Sequence, residues 1–190
     1  MIVLYPQHGI IQKAQAMAPA HAQQFIAPMF QGDLYAAYAL ALGLEDKQLG
    51  EMAFVFLEGR VPREAFREYL HHAWALSHMG VANGAGSRER LGRLFRYADF
   101  PVPDHLPHQL KVYRGTHSIS PEVAARGYSW TTDFYKAEWF ATRSGKPLPV
   151  VISAEISTED IDLYTNLRRE REVVLIYPPR RYEICEIQPA

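Results

Sequence analysis

Hydrophobic and polar positions follow a helical period in the first half of the chain and alternate in the second half. Up to about residue 98, Ala and Leu are abundant and apolar residues recur every three or four positions, which is typical of amphipathic helices. The pattern predicts helices over 34–42 after an Asp33 cap, over 45–58, from Pro62 onward, and over 88–96. Gly80 and the segment 83–86 are expected to break the chain between the last two.

After three closely spaced prolines the pattern changes to alternation, which predicts strands over 110–114, 150–156, 173–177 and 182–187, with a short helix over 133–141. Helices followed by strands predict an α+β fold. The helical portion covers residues 1–105 and the strand-rich portion residues 106–190. A strand-rich portion this short would bury too little surface alone, so we expect a single domain of 1–190 in which helices cover the sheet.

Composition narrows the classes of function. The chain has 20 Lys and Arg against 21 Asp and Glu, and this balance excludes nucleic-acid or membrane binding by bulk charge. The sequence contains no membrane-spanning run and no signal-like start, so a cytoplasmic protein is expected, although export without a cleavable signal stays open. Cys185 is the only cysteine and is expected to be a buried strand residue. The eight histidines form no metal-ligand pattern, so no metal site is expected.

Two short segments of the second half carry candidate chemistry. The first is Arg114 followed by Gly115 at the end of a predicted strand. Arginine presents a planar set of donors for a phosphate, and glycine lets a ligand approach the backbone. The second contains Ser129 and Thr131, which would share one face of a strand while Trp130 faces the other side. Each segment alone is better explained by an ordinary surface arginine or by hydrogen bonds across a sheet.

A third segment places two carboxylates close together. Glu170 and Glu172 stand two positions apart at the start of a predicted strand, where same-face residues are about 7 Å apart. Two like charges so close need solvent or a cation to offset their repulsion. A charged edge that protects the end of a strand is the simpler alternative.

In this order, arginine, serine and the glutamate pair resemble the arginine–serine–glutamate class of mono-ADP-ribosyltransferases, which contains many bacterial toxins. The resemblance covers roughly residues 110–187. It implies a split, mainly antiparallel β-sandwich core preceded by helices. The substrate would be NAD, from which such enzymes release nicotinamide. The middle residue of the serine motif, Trp130, departs from the usual threonine.

The resemblance also implies a role for each residue. Arg114 would hold the NAD phosphates and Gly115 would offer its backbone to the nicotinamide carboxamide. Ser129 would orient the catalytic Glu172, and Thr131 would help to shape the pocket. Glu170 would face the acceptor.

Two further residues near these motifs are candidates in the light of the resemblance. Arg143, in a basic turn, would contact the NAD phosphates, or it is a solvated residue. Tyr164 precedes the glutamate pair and could meet the target, although simple packing explains it equally well.

The resemblance leaves more than one acceptor and partner open. A glutamate at position 170 favours a protein arginine as acceptor. The clusters Arg168-Arg169-Arg171 and Arg180-Arg181 leave a nucleic-acid acceptor open. Water could also accept the ADP-ribose, or the chain could be an inactive module that only binds NAD or a partner. A toxin-like effector of this kind can poison its host, which leaves a neutralising (immunity) protein open as a partner, although no segment of the sequence shows one. A glycoside hydrolase is an alternative class of enzyme that also uses two carboxylates. It is disfavoured because Arg114 and Ser129 would have no role, and because the carboxylates of such enzymes usually lie on opposite sides of the sugar.

Overall fold

About half of the chain is helical, and every strand in the described residues lies in the second part, so the predicted α+β class is confirmed. The computed structural model describes residues 7–187. By its internal contacts the chain divides into two units, Met1–Asp99 and Phe100–Ala190. The single-domain organisation stays a prediction. No helix within residues 7–187 combines the length and the apolarity needed to cross a membrane.

The first unit is built from helices. They are α1 (Gln7–Met17), α2 (Ile26–Phe30), α3 (Leu34–Gly43), α4 (Asp46–Glu58), α5 (Arg63–Ala85) and α6 (Arg88–Ala98), with a 3₁₀ turn at Gln23–Phe25. Its core is rich in aromatic residues, and its largest fully buried side chains include Phe56, Phe66, Tyr69 and Trp74.

The starts of three helices follow from capping side chains. The Asp33 carboxylate accepts a hydrogen bond from Ala36 N at 3.0 Å, as its predicted capping role requires. Glu45 and Gln48 form a reciprocal capping box at α4. The Ser87 hydroxyl accepts from the first turn of α6. These local bonds explain why the predicted helix starts are accurate to within one residue.

The predicted break at Gly80 is wrong, because α5 continues through it to Ala85. The irregular residue is Ser77, with φ −152° and ψ 79°, and its hydroxyl caps the resumed helix by accepting from Gly80 N at 3.1 Å. The glycines have another use. A Cβ atom on Gly84 would lie 2.7 Å from the Gly50 Cα atom, so α4 and α5 cross where neither has a side chain.

Up to residue 187, where the description ends, the second unit contains one sheet and two short helices. Its elements are β1 (Gln109–His117), α7 (Pro121–Ala125), β2 (Ser129–Thr131), α8 (Phe134–Thr142), β3 (Pro149–Ser157), a 3₁₀ turn (Thr158–Asp160), β4 (Leu163–Thr165), β5 (Glu172–Val174) and β6 (Glu183–Cys185). The four predicted strands and the predicted helix are all present, although β5 and β6 are shorter than expected.

The strands form a six-stranded sheet in the order β4-β5-β2-β1-β3-β6, and all the neighbouring pairs are antiparallel. The antiparallel character is therefore confirmed. Division into two packed sheets is a finer expectation that these pairings do not test. The central position of β1 and β2 places two of the three candidate segments side by side.

The two faces of the sheet carry different side chains. Trp130, Val112 and Val173 belong to a buried cluster that includes residues of α7. On the other face α8 packs Ala137 and Ala141 against Val151, with Cys185 partly buried beside them. Cys185 is a strand residue as predicted, but it is half-buried rather than buried.

Candidate active site

The centre of the site is a hydrogen bond between the second and third candidate segments. In the sheet, β2 lies beside β5, and Thr131 pairs with Glu172. The Ser129 hydroxyl donates to Glu172 Oε1 at 2.6 Å. Glu172 is only 2% exposed, so this charge-assisted bond is largely protected from water. Such bonds are stronger in the protein interior than in water. Trp130 points into the core on the other face, as the alternation predicts.

A guanidinium group bridges the two glutamates. Arg168 Nη2 lies 3.0 Å from Glu170 Oε2 and 2.9 Å from Glu172 Oε2. The one nitrogen therefore contacts both carboxylates and offsets the repulsion between them. The cation that the paired charges require is thus supplied by the chain itself.

The loop before β5 positions Glu170 differently from the sequence prediction. The strand begins only at Glu172, and Glu170 lies in the preceding loop. Arg169 and Arg171 have φ values of 57° and 46°, so the backbone turns twice in the left-handed region. The Asn166 side chain closes this loop by accepting from Arg171 N at 3.1 Å. Both glutamates therefore meet through a turn and not through strand alternation.

Thr131 holds the same loop from β2. Its hydroxyl donates to the Glu170 carbonyl at 2.6 Å and accepts from Asp133 N at 3.1 Å. Asp133 in turn caps α8 by accepting from Lys136 N. One buried hydroxyl therefore connects the acidic loop to the start of the helix that covers the sheet.

Arg114 contacts the backbone of the serine segment. Its guanidinium donates to the Ser129 carbonyl, and it packs so closely on Gly127 that a Cβ atom there would overlap Arg114 Cζ. Burial lowers the pKa of the Arg114 guanidinium from its ordinary value, and the nearby Glu172 carboxylate opposes this effect. The guanidinium remains charged. Arg114 therefore holds the backbone of Ser129 through this hydrogen bond and adds positive potential near Glu172.

One donor of Arg114 is left over. Arg114 Nε is buried without a hydrogen-bond acceptor among residues 7–187. An unsatisfied buried N–H is unfavourable by about 1–3 kcal/mol, so a group that supplied an acceptor there would stabilise the arrangement. An anionic ligand oxygen is one such group.

Gly115 lies where α8 meets the sheet. A Cβ atom at this position would overlap the Ala137 carbonyl oxygen, so the helix can approach β1 only because residue 115 is glycine. This packing accounts for the glycine by itself. The predicted contact of its backbone with nicotinamide stays a prediction.

No protein-family model matches the chain, and the searches of curated proteins and of solved structures also return no match. A function for this site must therefore be inferred from its own residues.

Arg143 lies apart from the serine–glutamate pair along α8. It follows the last residue of the helix, so roughly 14 Å of helix axis separates it from the Asp133 end, at about 1.5 Å per residue. Its guanidinium stacks on Trp139 and Phe140, 4.6 and 4.7 Å from the ring centroids. The stacking holds Arg143 at the surface, and its predicted contact with NAD phosphates is not tested by this arrangement.

Sequence reasoning missed the contributions of Arg168 and Asn166 to the site. The sequence pattern places Arg168 only in a basic cluster suited to nucleic acid. Its positions relative to the glutamates, two and four residues earlier, are a readable signal, because opposite charges at such short separations often pair. Asn166 closes a loop through its side chain, which is a common use of asparagine in turns. Asn166 could therefore have predicted from sequence that a turn precedes the glutamate pair.

The other predicted surface residues have varied surroundings. Arg180 and Arg181 line a cavity of about 820 Å³ whose wall also carries Glu155, Glu159, Asp160 and Asp162. This mixture of charges is less suited to binding phosphates than arginines alone would be.

Tyr164 packs against His105, with ring centroids 6.2 Å apart, and it belongs to the edge of the buried cluster. These contacts favour the packing interpretation of Tyr164. Within residues 7–187, no three His, Cys, Asp or Glu side chains are placed so that they could hold a metal ion together.

Proposed function

We propose that this chain is a mono-ADP-ribosyltransferase that cleaves NAD and transfers ADP-ribose to an arginine side chain. The observation that carries the proposal is the 2.6 Å hydrogen bond from Ser129 to the buried Glu172, with Glu170 held beside it. These residue types in this order already indicate the chemistry at the level of sequence. Ser129 and Glu172 come from different strands and still meet. Short motifs that occurred by chance would not be expected to meet in this way.

The proposed reaction breaks the bond between the nicotinamide nitrogen and ribose C1′. The bonding electron pair leaves with nicotinamide, which departs neutral and needs no general acid. A guanidine nitrogen of the acceptor forms the new bond to C1′ and gives up one proton. Glu170 is the proposed acceptor of that proton, since its side chain is partly exposed beside the site.

Glu172 is suited to stabilise the positive charge that develops on the ribose. A carboxylate fixed in a water-poor site stabilises such charge more than one in bulk water does. The Ser129 hydroxyl holds one oxygen, Oε1, so the orientation of the carboxylate is set before substrate arrives. We propose Glu172 as the catalytic residue and Ser129 as the residue that positions it.

Substrate binding is proposed for the basic and small residues around this pair. Arg114 has a buried donor without an acceptor among the described residues, and we propose that it binds an NAD phosphate or ribose oxygen once Gly127 moves off its guanidinium. Gly115 and Thr131 would border the nicotinamide pocket, and Arg143 would meet a phosphate only from the end of α8. An ADP-ribosyltransferase-type core is part of the same proposal, supported by the adjacency of β1, β2 and β5.

The acceptor is proposed to be arginine rather than nucleic acid. The glutamate pair already binds one guanidinium, that of Arg168, so its size and charge suit this group. The basic clusters offer less to phosphates, because Arg168 is paired with carboxylates and Arg180 and Arg181 share their cavity with four acidic residues.

Nicotinamide release from NAD tests the proposal. We expect the native protein to release nicotinamide, and Glu172→Gln to reduce the rate by about 10²–10³-fold, because a preorganised electrostatic contribution is lost. Ser129→Ala should reduce it by about 10–100-fold, the value of a hydrogen bond to a charged group. Release is measured chromatographically, with an arginine-rich protein present as acceptor.

The matched control is Glu155→Gln, which removes an exposed carboxylate of β3 from the same sheet and should leave the rate unchanged. No release by the native protein, or equal release by Glu172→Gln, would contradict the proposal. NAD binding without release would indicate an inactive NAD-binding module.

A further inference from the structure

Arg168 occupies the place that an acceptor arginine would need. One of its terminal nitrogens contacts the oxygens Glu170 Oε2 and Glu172 Oε2. In the proposed reaction the acceptor guanidine must lie beside these same carboxylates. The chain therefore presents its own copy of the acceptor group at the acceptor position.

Two guanidinium groups cannot bind there together. Both are planar and positively charged, and in the proposed reaction both would contact the Oε2 atoms that Arg168 now occupies on the two glutamates. The inner oxygen of Glu172 is already engaged by Ser129. Binding of an external guanidinium and the inward position of Arg168 should thus exclude one another.

Arg168 is also placed so that it can leave. Its side chain is 35% exposed, compared with 3% for that of Glu172, and it projects from a loop rather than from a strand. The loop is closed through Asn166 and Arg171 and not through these two ion pairs. Outward rotation of one long side chain would uncover the carboxylates without unfolding the loop.

We propose that Arg168 is a displaceable guard of the acceptor site, a proposal that rests on the function proposed above. The guard keeps one positive charge against the paired carboxylates until a guanidinium of the target displaces it. Apparent affinity for the acceptor is then reduced by the fraction of molecules in which the site is uncovered. Every guanidinium acceptor is weakened by the same factor, so only an acceptor that makes additional contacts with the protein reaches high occupancy.

Direct binding of a small guanidinium compound tests the guard without NAD. Agmatine is titrated calorimetrically into the intact native chain and into Arg168→Gln, Arg168→Lys and Arg169→Gln. If about one molecule in ten is uncovered, Arg168→Gln should bind agmatine about ten-fold more tightly. Arg168→Lys, which keeps the charge but loses the planar fork, should lie between the two.

Arg169→Gln is the matched control, because it removes the same charge from the same loop. A gain in that variant equal to the gain in Arg168→Gln would show general electrostatic attraction and would overturn the guard. Unchanged or weaker binding by Arg168→Gln would also overturn it, since Arg168 would then only hold Glu172 in place. Circular dichroism establishes that each variant is folded. If Arg168→Gln does not fold, the comparison uses Arg168→Lys, and tighter agmatine binding by this variant than by the native chain supports the guard.

Kinetics separate this proposal from the proposed function. With NAD present, the guard predicts a lower KM for agmatine in Arg168→Gln and little change in KM for NAD. Tighter agmatine binding by Arg168→Gln without any nicotinamide release would overturn the transferase proposal, but it would still show that Arg168 competes with an external guanidinium for the two carboxylates. Nicotinamide release with unchanged agmatine binding would do the reverse.

Discussion

Single side chains in each unit join elements that are distant in sequence. In the second unit the Ser129 hydroxyl connects β2 to the first residue of β5. In the first unit the Tyr69 hydroxyl of α5 donates to the Leu49 carbonyl of α4 at 2.8 Å. Burial raises the pKa of the Tyr69 phenol well above its ordinary value near 10.

The buried Tyr69 predicts a loss of stability at alkaline pH. Because its pKa is raised on folding, its contribution is fully present below about pH 10, the unfolded value, and is lost as pH rises above it. Tyr69→Phe should lower the free energy of unfolding by about 1 kcal/mol at neutral pH, through the lost hydrogen bond. The variant should also lose less stability than the native protein above pH 10. Urea unfolding from pH 7 to 11 measures both effects.

Tyr177→Phe is the comparison, because Tyr177 is exposed and its replacement should change neither quantity. An alkaline slope of Tyr69→Phe equal to that of the native protein would show that the Tyr69 phenol ionises as readily in the folded chain as in the unfolded one.

At the scale of elements, the packing of α8 on β1 depends on one glycine. Gly115→Ala would bring a methyl group into the Ala137 carbonyl oxygen. The new methyl group is fixed directly to the backbone of β1, and the carbonyl belongs to the backbone of α8, so neither can rotate away. We expect a loss of about 1–3 kcal/mol in the free energy of unfolding. Urea unfolding of the variant measures it. Thr116→Ala, at the next position of β1, is the control, and an equal effect of both variants would contradict the close-packing explanation.

Elements that depend on local signals were predictable from the sequence. The Asp33 cap starts α3 as expected, and the helix predicted from 133 begins after an Asp133 cap, because a cap needs only its own first turn. The course of α5 was not predictable in this way. The sequence predicts a break at Gly80, whereas this residue lies against α4, where a Cβ atom would overlap the Asp46 carbonyl oxygen. A glycine used for close packing and one used for a turn are identical in sequence.

At the scale of the whole molecule, the chain divides into two units of similar length. A unit of about 90 residues buries a smaller fraction of its surface than a larger domain does. We therefore expect the intact chain to unfold in a single cooperative transition, as the single-domain prediction requires.

The tryptophans allow that prediction to be measured. Trp74 lies in the first unit, and Trp130 and Trp139 lie in the second. In Trp74→Phe, fluorescence reports only the second unit, whereas far-ultraviolet circular dichroism is dominated by the helices of the first. Coincident thermal transitions by the two probes would support a single domain. Transitions at separate temperatures would contradict it.

The sequence by itself determined the α+β class, most element positions and the shared face of Ser129 and Thr131, because capping, alternation and turn chemistry act between near neighbours. Only the tertiary structure decided that Ser129 meets Glu172, because that contact depends on which strands are adjacent and in what register. It also decided that Glu170 reaches the pair through a left-handed loop and that Arg168 binds both carboxylates. Those contacts join residues through space, and no local pattern specifies them.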